Sequence, residues 1–262
     1  MKISIENIKE KKGKEKITCL TAYSYPVAKI LDNLVDIILV GDSLSMAIYG
    51  EVDTTSANLE MMINHGKAVV RACRKALVVV DMPINSYESS KDLALINAKK
   101  IIEQTKCDAI KIEITEDLID TAKYLVNNKI MVMGHIGLLP QHVKEIGGYK
   151  YQGKDEESAK KIYDIAKKLE KTGIFSLVIE AVPARLASKI SQNIEIPTIG
   201  IGASLDCDGQ VLVIDDLLGL NTEFKPRFVE NYENLSQKIA IAVENFTKDV
   251  KNGKFPTEKN IL

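Results

Sequence analysis

Eight short runs of β-branched and aliphatic residues punctuate the chain, and most of them are apolar almost without a break. They read ITCLTAY (17–23), DIILVGD (36–42), LVVVDMP (77–83), AIKIE (109–113), IMVMGH (130–135), SLVIEAV (176–182), TIGIGA (198–203) and VLVID (211–215). A strand with one face in water alternates apolar and polar residues. A near-continuous run is what a parallel strand covered on both faces requires. The connecting segments carry helical spacing: SYPVAKILDNL, LALINAKKIIEQT and EDLIDTAKYLVNN place apolar residues three and four apart. DEESAKKIYDIAKKLEKTG opens with acids, closes with lysines and stops at Gly173, a charge order that complements a helix dipole. Strand–helix alternation repeated eight times in 262 residues predicts an α/β fold, a single (β/α)8 TIM-type barrel of parallel strands over 1–262. The competing arrangement is an open doubly wound sheet. No G-x-G-x-x-G follows the first run, which disfavours it.

Two links are irregular. The seventh and eighth runs are separated by roughly 8 residues, short of the ~10–12 of a full helical crossover, so that unit is abbreviated or the eighth strand lies elsewhere. IGLLPQHVKEIGGYKYQGKD, after the fifth run, is long and rich in glycine, as lids and binding loops are. The basic cluster KEKKGKEK is interrupted by glutamates and reads as a solvated face. NYENLSQKIAIAVENFTKDVKNG reads as a terminal helix. The net charge of −1 supplies no pull toward nucleic acid or an anionic membrane. No apolar run approaches the ~18 residues of a membrane span, and the N-terminal residues carry no export signature. Cys19, Cys73, Cys107 and Cys207 match neither a C-x-x-C pair nor a zinc cluster and read as small packed hydrophobes, as in a reducing cytosol. A cytoplasmic location is expected.

Runs two through six end on polar residues: Asp42 with Ser43, Asp81, Lys111 with Glu113, His135, and Glu180. In a barrel the C-terminal strand ends converge on one mouth, so these distant positions meet. A lone Asp after a strand is commonly a turn former or helix cap, which would account for Asp42 or Asp81 singly. Lys111 and Glu113 share strand parity and face the same side, and inside a barrel they need each other or a ligand. Three carboxylates without clustered histidines suit a hard cation such as Mg2+, with Asp42 and Asp81 direct and Glu113 through water. Such an ion polarises a carbonyl, and a 2-oxo acid offers chelating oxygens. Lys111 would add positive charge for an enolate, and Glu180, apart from the metal group, is the candidate base. The glycines of TIGIGAS sit where barrels often bind phosphate. No basic residue occurs from Ile190 to Phe224, however, while Asp206 and Asp208 follow the glycines, so they read as packing or turn residues.

VGDSLSM, DMP, KIE, GHIGLLPQ, GGYKYQG, IEAVP, IPTIGIGA and DGQVLV occur in that order, and the set resembles the ketopantoate hydroxymethyltransferase family over nearly the whole chain, from TAYSYPVAKI to FKPRFV. The resemblance implies a (β/α)8 barrel and Mg2+-dependent transfer of a one-carbon unit from 5,10-methylenetetrahydrofolate to 3-methyl-2-oxobutanoate, giving 2-dehydropantoate. On the matching positions it implies Asp42, Asp81 and Glu113 as the metal group. Asp42, Ser43, Asp81 and Lys111 would contact the oxo acid, Glu180 would accept the proton, and His135 would support them. It also implies a large homo-oligomer, often a decamer. The chain departs from the family pattern at Ser45 and Ser204, where glycine is usual, and at TTSANL after the second run. A metal-dependent carbon–carbon lyase or phosphoenolpyruvate-type mutase on a similar barrel is the second enzyme class open at this point. A non-catalytic barrel with capping carboxylates is the third reading.

Overall fold

A computed structural model of the chain describes residues 2–222 and 226–261. Phe224 and Lys225, which close the stretch without basic residues, lie outside the described residues. The eight strands are β1 (Ile17–Thr21), β2 (Ile37–Val40), β3 (Leu77–Asp81), β4 (Ala109–Glu113), β5 (Val132–Gly137), β6 (Ser176–Glu180), β7 (Thr198–Ile201) and β8 (Gly209–Leu212). All neighbours are parallel, and β8 returns to β1, so the sheet closes into a barrel in chain order. The helices are α1 (Ile5–Glu10), α2 (Tyr25–Leu31), α3 (Leu44–Ala47), α4 (Leu59–Ala72), α5 (Lys91–Thr105), α6 (Ile119–Asn127), α7 (Val143–Ile146), α8 (Glu156–Glu170), α9 (Ala184–Asn193), α10 (Ile214–Leu217) and α11 (Leu235–Lys251). The chain divides into two compact units, 1–213 with the barrel and 214–262 with α10 and α11. No helix among the described residues is long and apolar enough to cross a membrane.

The inward parity of each strand builds the core. Ile17 and Cys19, Ile37 and Leu39, Leu77 and Val79, Ala109, Met133, Val178, Ile199 and Val211 form one buried cluster. Ile5 and Ile8 of α1 join it, so α1 closes the N-terminal end of the barrel. Its first turn is held by a reciprocal cap: Ser4 Oγ accepts from the Asn7 N–H and Asn7 Oδ1 accepts from the Ser4 N–H. The basic cluster just after it is more than a solvated face. Lys11 donates to Asp36 at 2.7 Å, and Lys12 donates to Asp208 at 2.8 Å, which ties the plug to the strand ends.

The abbreviated unit is real, and the eighth strand also lies slightly earlier than its apolar run. The link 202–208 carries no helix, β8 starts at Gly209, and Ile214 and Asp215 belong to α10. Gly209 is the residue that closes the barrel. A Cβ there would stand 2.4 Å from the Ile17 carbonyl oxygen, so only glycine lets β8 approach β1. Gly200 likewise packs against Cys207 and Gln210, in keeping with glycines that serve packing. All four cysteines are buried free thiols. Burial pushes the Cys73 and Cys107 thiols up to about 11, so neither forms a thiolate readily at neutral pH.

Candidate active site

Strand register brings the polar residues together. Asp81 pairs with Lys111 across β3 and β4, Glu113 with His135 across β4 and β5, and Gly137 with Glu180 across β5 and β6. Each follows the parity of the interior residues below it, so all of them line the C-terminal mouth. β2 stops at Val40, so Asp42 and Ser43 stand in the turn that enters α3 rather than in the strand. His135 lies within β5, two residues before its end, because β5 extends to Gly137.

The contacts form one connected set. Lys111 Nζ lies 3.1 Å from Asp81 Oδ2, and the backbone N–H of Asp42 donates to that same oxygen at 3.1 Å. Asp81 Oδ1 is buried and has no hydrogen-bond partner. Ser43 Oγ lies 2.8 Å from the Tyr23 hydroxyl. The Glu113 carboxylate accepts the Gln141 backbone N–H at 3.1 Å. His135 sits between two acids, with Nδ1 3.7 Å from Glu113 Oε1 and Nε2 3.2 Å from Glu180 Oε2, though neither nitrogen is aligned for a hydrogen bond. The backbone around Glu180 is shaped tightly. Gly137 opposite it has φ +98°, and a Cβ there would stand 2.2 Å from the Glu180 carbonyl oxygen. Ala181 follows at φ +45°, a conformation few non-glycine residues adopt. Its carbonyl oxygen accepts the Gln152 N–H and its own N–H donates to Ile201, both at 2.9 Å.

Burial governs the electrostatics. It raises the Asp42 carboxyl, lifts Asp81 to about 7 against the opposing pull of Lys111, and raises Glu113 well above the carboxylate range. Glu180, with its side chain 13% exposed, is raised to about 7 by the same burial. His135 is driven well below its ordinary value by burial and by the Lys111 charge, so it is neutral. Burial would lower Lys111, but Asp81, Asp42 and Glu113 outweigh it and hold the ammonium charged.

A family model for ketopantoate hydroxymethyltransferase matches residues 2–258. The chain belongs to the ketopantoate hydroxymethyltransferase family. A 3-methyl-2-oxobutanoate hydroxymethyltransferase from Pelagibacter ubique is 49% identical over 260 residues, 99% of this chain and 99% of that protein. One of the same name from Acetivibrio thermocellus is 48% identical over 254 residues, 97% of this chain and 90% of the relative. The chain is therefore an enzyme, a hydroxymethyltransferase. Among solved structures, a 2,3-dimethylmalate lyase of the PEP mutase/isocitrate lyase superfamily has a TM-score of 0.62 at 13% identity, covering 98% of this chain and 92% of that one. A phosphonopyruvate hydrolase in complex with oxalate and Mg2+ has a TM-score of 0.62 at 12% identity, covering 99% and 93%. These two share the barrel fold with the hydroxymethyltransferase chain.

The residues of this hydroxymethyltransferase fit a divalent cation. Three buried carboxylates, Asp42, Asp81 and Glu113, and the partly buried Glu180 face a single buried ammonium and a neutral imidazole. Asp81 Oδ1 is the orphaned oxygen such an ion would satisfy. Among the described residues no three His, Cys, Asp or Glu side chains converge as a closed metal cage. Mg2+ does not need one, because it usually keeps waters and substrate oxygens beside one or two carboxylates.

Sequence reasoning did not find Gln141 or Tyr87, both fully enclosed and central to the network. Both are neutral and lie outside the strands, so neither charge nor periodicity marks them. The signals were the long glycine-rich loop after the fifth run, which contains Gln141, and Pro140, which starts the 3₁₀ turn Pro140–His142. The departure at Ser45 has a structural explanation. Ser45 is buried and its Oγ donates to the Asp53 carbonyl oxygen at 2.8 Å, while the Asp53 carboxylate caps the 3₁₀ turn Thr54–Ser56 within TTSANL. Ser45→Gly removes that bond and loosens α3, so stability should fall by about 1–2 kcal/mol. Thermal melting checks it, and an unchanged midpoint would show the hydroxyl to be idle.

Proposed function

We propose that this chain transfers a one-carbon unit from 5,10-methylenetetrahydrofolate to 3-methyl-2-oxobutanoate, giving 2-dehydropantoate for pantothenate synthesis. The observation that carries the reading is the family match over residues 2–258. The mouth geometry supplies a role for each group. Asp42 and Asp81 would hold Mg2+, with Glu113 behind them through water, and the bound ion would polarise the keto group as a Lewis acid. Lys111, held charged beside Asp81, offsets negative charge developing on the oxo acid as its C3 proton leaves. Ser43 and His135 complete the substrate wall. Glu180 takes the C3 proton, and neutral His135 at 3.2 Å limits where its carboxylate can swing. Opening of the donor's methylene bridge breaks the first of its two C–N bonds. The carbanion carbon then bonds that methylene, and water breaks the second C–N bond, supplying the hydroxyl oxygen while its proton goes to the tetrahydrofolate nitrogen. We place the enzyme in the cytoplasm and expect a homo-oligomer, a decamer by the family resemblance. Exposed Ile239, Val243, Phe246 and Val250 on α11 support association. The lyase and mutase reading is disfavoured, since a 2,3-dimethylmalate lyase and a phosphoenolpyruvate phosphomutase are only 13% and 11% identical to this chain.

The assay is direct. Pure protein with the oxo acid, methylenetetrahydrofolate and Mg2+ should form 2-dehydropantoate, and its absence with active folate would contradict the proposal. A pH dependence follows from Glu180. A base must be unprotonated, and burial places Glu180 at about 7. At saturating Mg2+, which keeps Asp81 ionised, C3 exchange should fall about tenfold per pH unit below 7 and level off above about 8. A flat profile between pH 5 and 8 would exclude Glu180 as the base.

A further inference from the structure

We propose that Gln141 is a positioning residue that fixes which oxygen of Asp42 faces the mouth, and that Tyr87 acts through it. This rests on the metal role of Asp42 given above. Gln141 is buried, and every polar atom it owns near the site is engaged. Its Nε2 donates to Asp42 Oδ2 at 2.7 Å and to the Met82 carbonyl oxygen at 3.0 Å. Its Oε1 accepts from the Tyr87 hydroxyl at 2.6 Å, and its backbone N–H donates to Glu113.

The orientation of the amide is dictated by its partners. A carboxylate at the mouth and a backbone carbonyl can only accept, so the NH2 end must face Asp42 and Met82. The remaining end must then accept. Tyr87 can serve it only with its hydroxyl hydrogen, because the oxygen of that hydroxyl already accepts the Glu113 backbone N–H at 3.2 Å. A single chain of donors thus runs from β4 through Tyr87 and Gln141 to Asp42. It ties the end of β4, the turn after β5, the end of β3 and the turn after β2 to each other.

The consequence concerns Asp42 Oδ1. With Oδ2 held by the amide, the carboxylate cannot rotate freely, and Oδ1 is left for a ligand. A neutral donor suits this task. A lysine at position 141 would compete with the ion for Asp42, and a glutamate would repel Asp42 and Glu113. Groups that orient a metal-binding carboxylate are worth roughly 10–100-fold in metal affinity.

The test uses Gln141→Leu, which keeps volume and removes both side-chain donors. Calorimetry with Mg2+ alone should show affinity 10-fold or more below wild type. The KM for the oxo acid at fixed Mg2+ should rise more than kcat falls. A crystal structure of the variant should show the Asp42 carboxylate turned from its wild-type position. Tyr87→Phe provides a second variant that keeps the ring in place. It should weaken Mg2+ binding about threefold, and should add nothing in the Gln141→Leu background. Unchanged Mg2+ affinity with an unmoved Asp42 would overturn the proposal, as would additive effects of the two substitutions. If wild type itself fails to bind Mg2+, the metal reading falls. The Asp42 position in the crystal then decides the role of Gln141 alone.

Discussion

Glu180→Gln should abolish most of the solvent exchange at C3 of 3-methyl-2-oxobutanoate while leaving substrate and Mg2+ binding close to wild type. The expected loss is roughly 10²–10⁴-fold, the usual worth of a positioned general base. Glutamine keeps the shape of the side chain but cannot accept the proton. The effect should fall chiefly on proton removal, because Glu180 lies on β6 and the Asp42–Asp81 pair on the β2 and β3 side, although its charge is felt at Asp42 and Glu113. With substrate deuterated at C3 and no folate added, exchange isolates this step from carbon–carbon bond formation. Exchange at the wild-type rate would move the base elsewhere. His135 would be next in line, although a ring whose protonation burial and Lys111 both oppose is a poor reservoir for a proton.

Lys111→Met should be the most damaging change in the barrel. Lys111 and Asp81 are nearly sealed from solvent, at 6% and 2% side-chain exposure, and Asp42 and Glu113 also depend on the same ammonium. Removing one partner of a buried pair typically costs about 3–5 kcal/mol, and at about 2–4 °C per kcal/mol for a chain this long the melting midpoint should drop by roughly 10 °C. The pH dependence has a definite sign. Without Lys111 the folded-state carboxyl values rise further above their unfolded values. The folded chain then binds more protons, and stability is regained as pH falls through the folded values. The penalty should therefore be largest above pH 7 and shrink toward pH 5. Turnover should fall at least about 10²–10³-fold even in the folded fraction, since charge stabilisation at the reacting oxygen is lost. A variant that melts and turns over like wild type would show the Asp81–Lys111 pair to be dispensable.

The barrel was legible because parallel strands buried on both faces leave apolar runs that few other structures produce. AIKIE coincides with β4 residue for residue, since alternation places Lys111 and Glu113 inward with nothing ambiguous at either end. At β2 and β6 the runs extended past the strand ends, at Gly41–Asp42 and Ala181–Val182. Those residues are apolar or site-lining for reasons other than pairing: they form the turns that aim side chains into the mouth. Charged site residues were visible because burial of charge is costly enough to be rare. Gln141 and Tyr87 were not, because a neutral polar group in a loop is ordinary until its partners are known. The α1 plug was hidden in a six-residue helix whose only signal was Ile5 and Ile8 three apart, and its lysines look like solvated charges until Asp36 and Asp208 are seen opposite them.

One measurement bears most directly on the proposed chemistry: a crystal structure of this chain with Mg2+ and 3-methyl-2-oxobutanoate. The ion should be held by Asp42 and Asp81, with ligand distances near ~2.1 Å and the oxo acid chelating it. Lys111 should lie beside the keto oxygen, and a Glu180 carboxylate oxygen should stand about 3–3.5 Å from C3. A substrate bound with C3 turned away from Glu180, or an ion held without either aspartate, would contradict it.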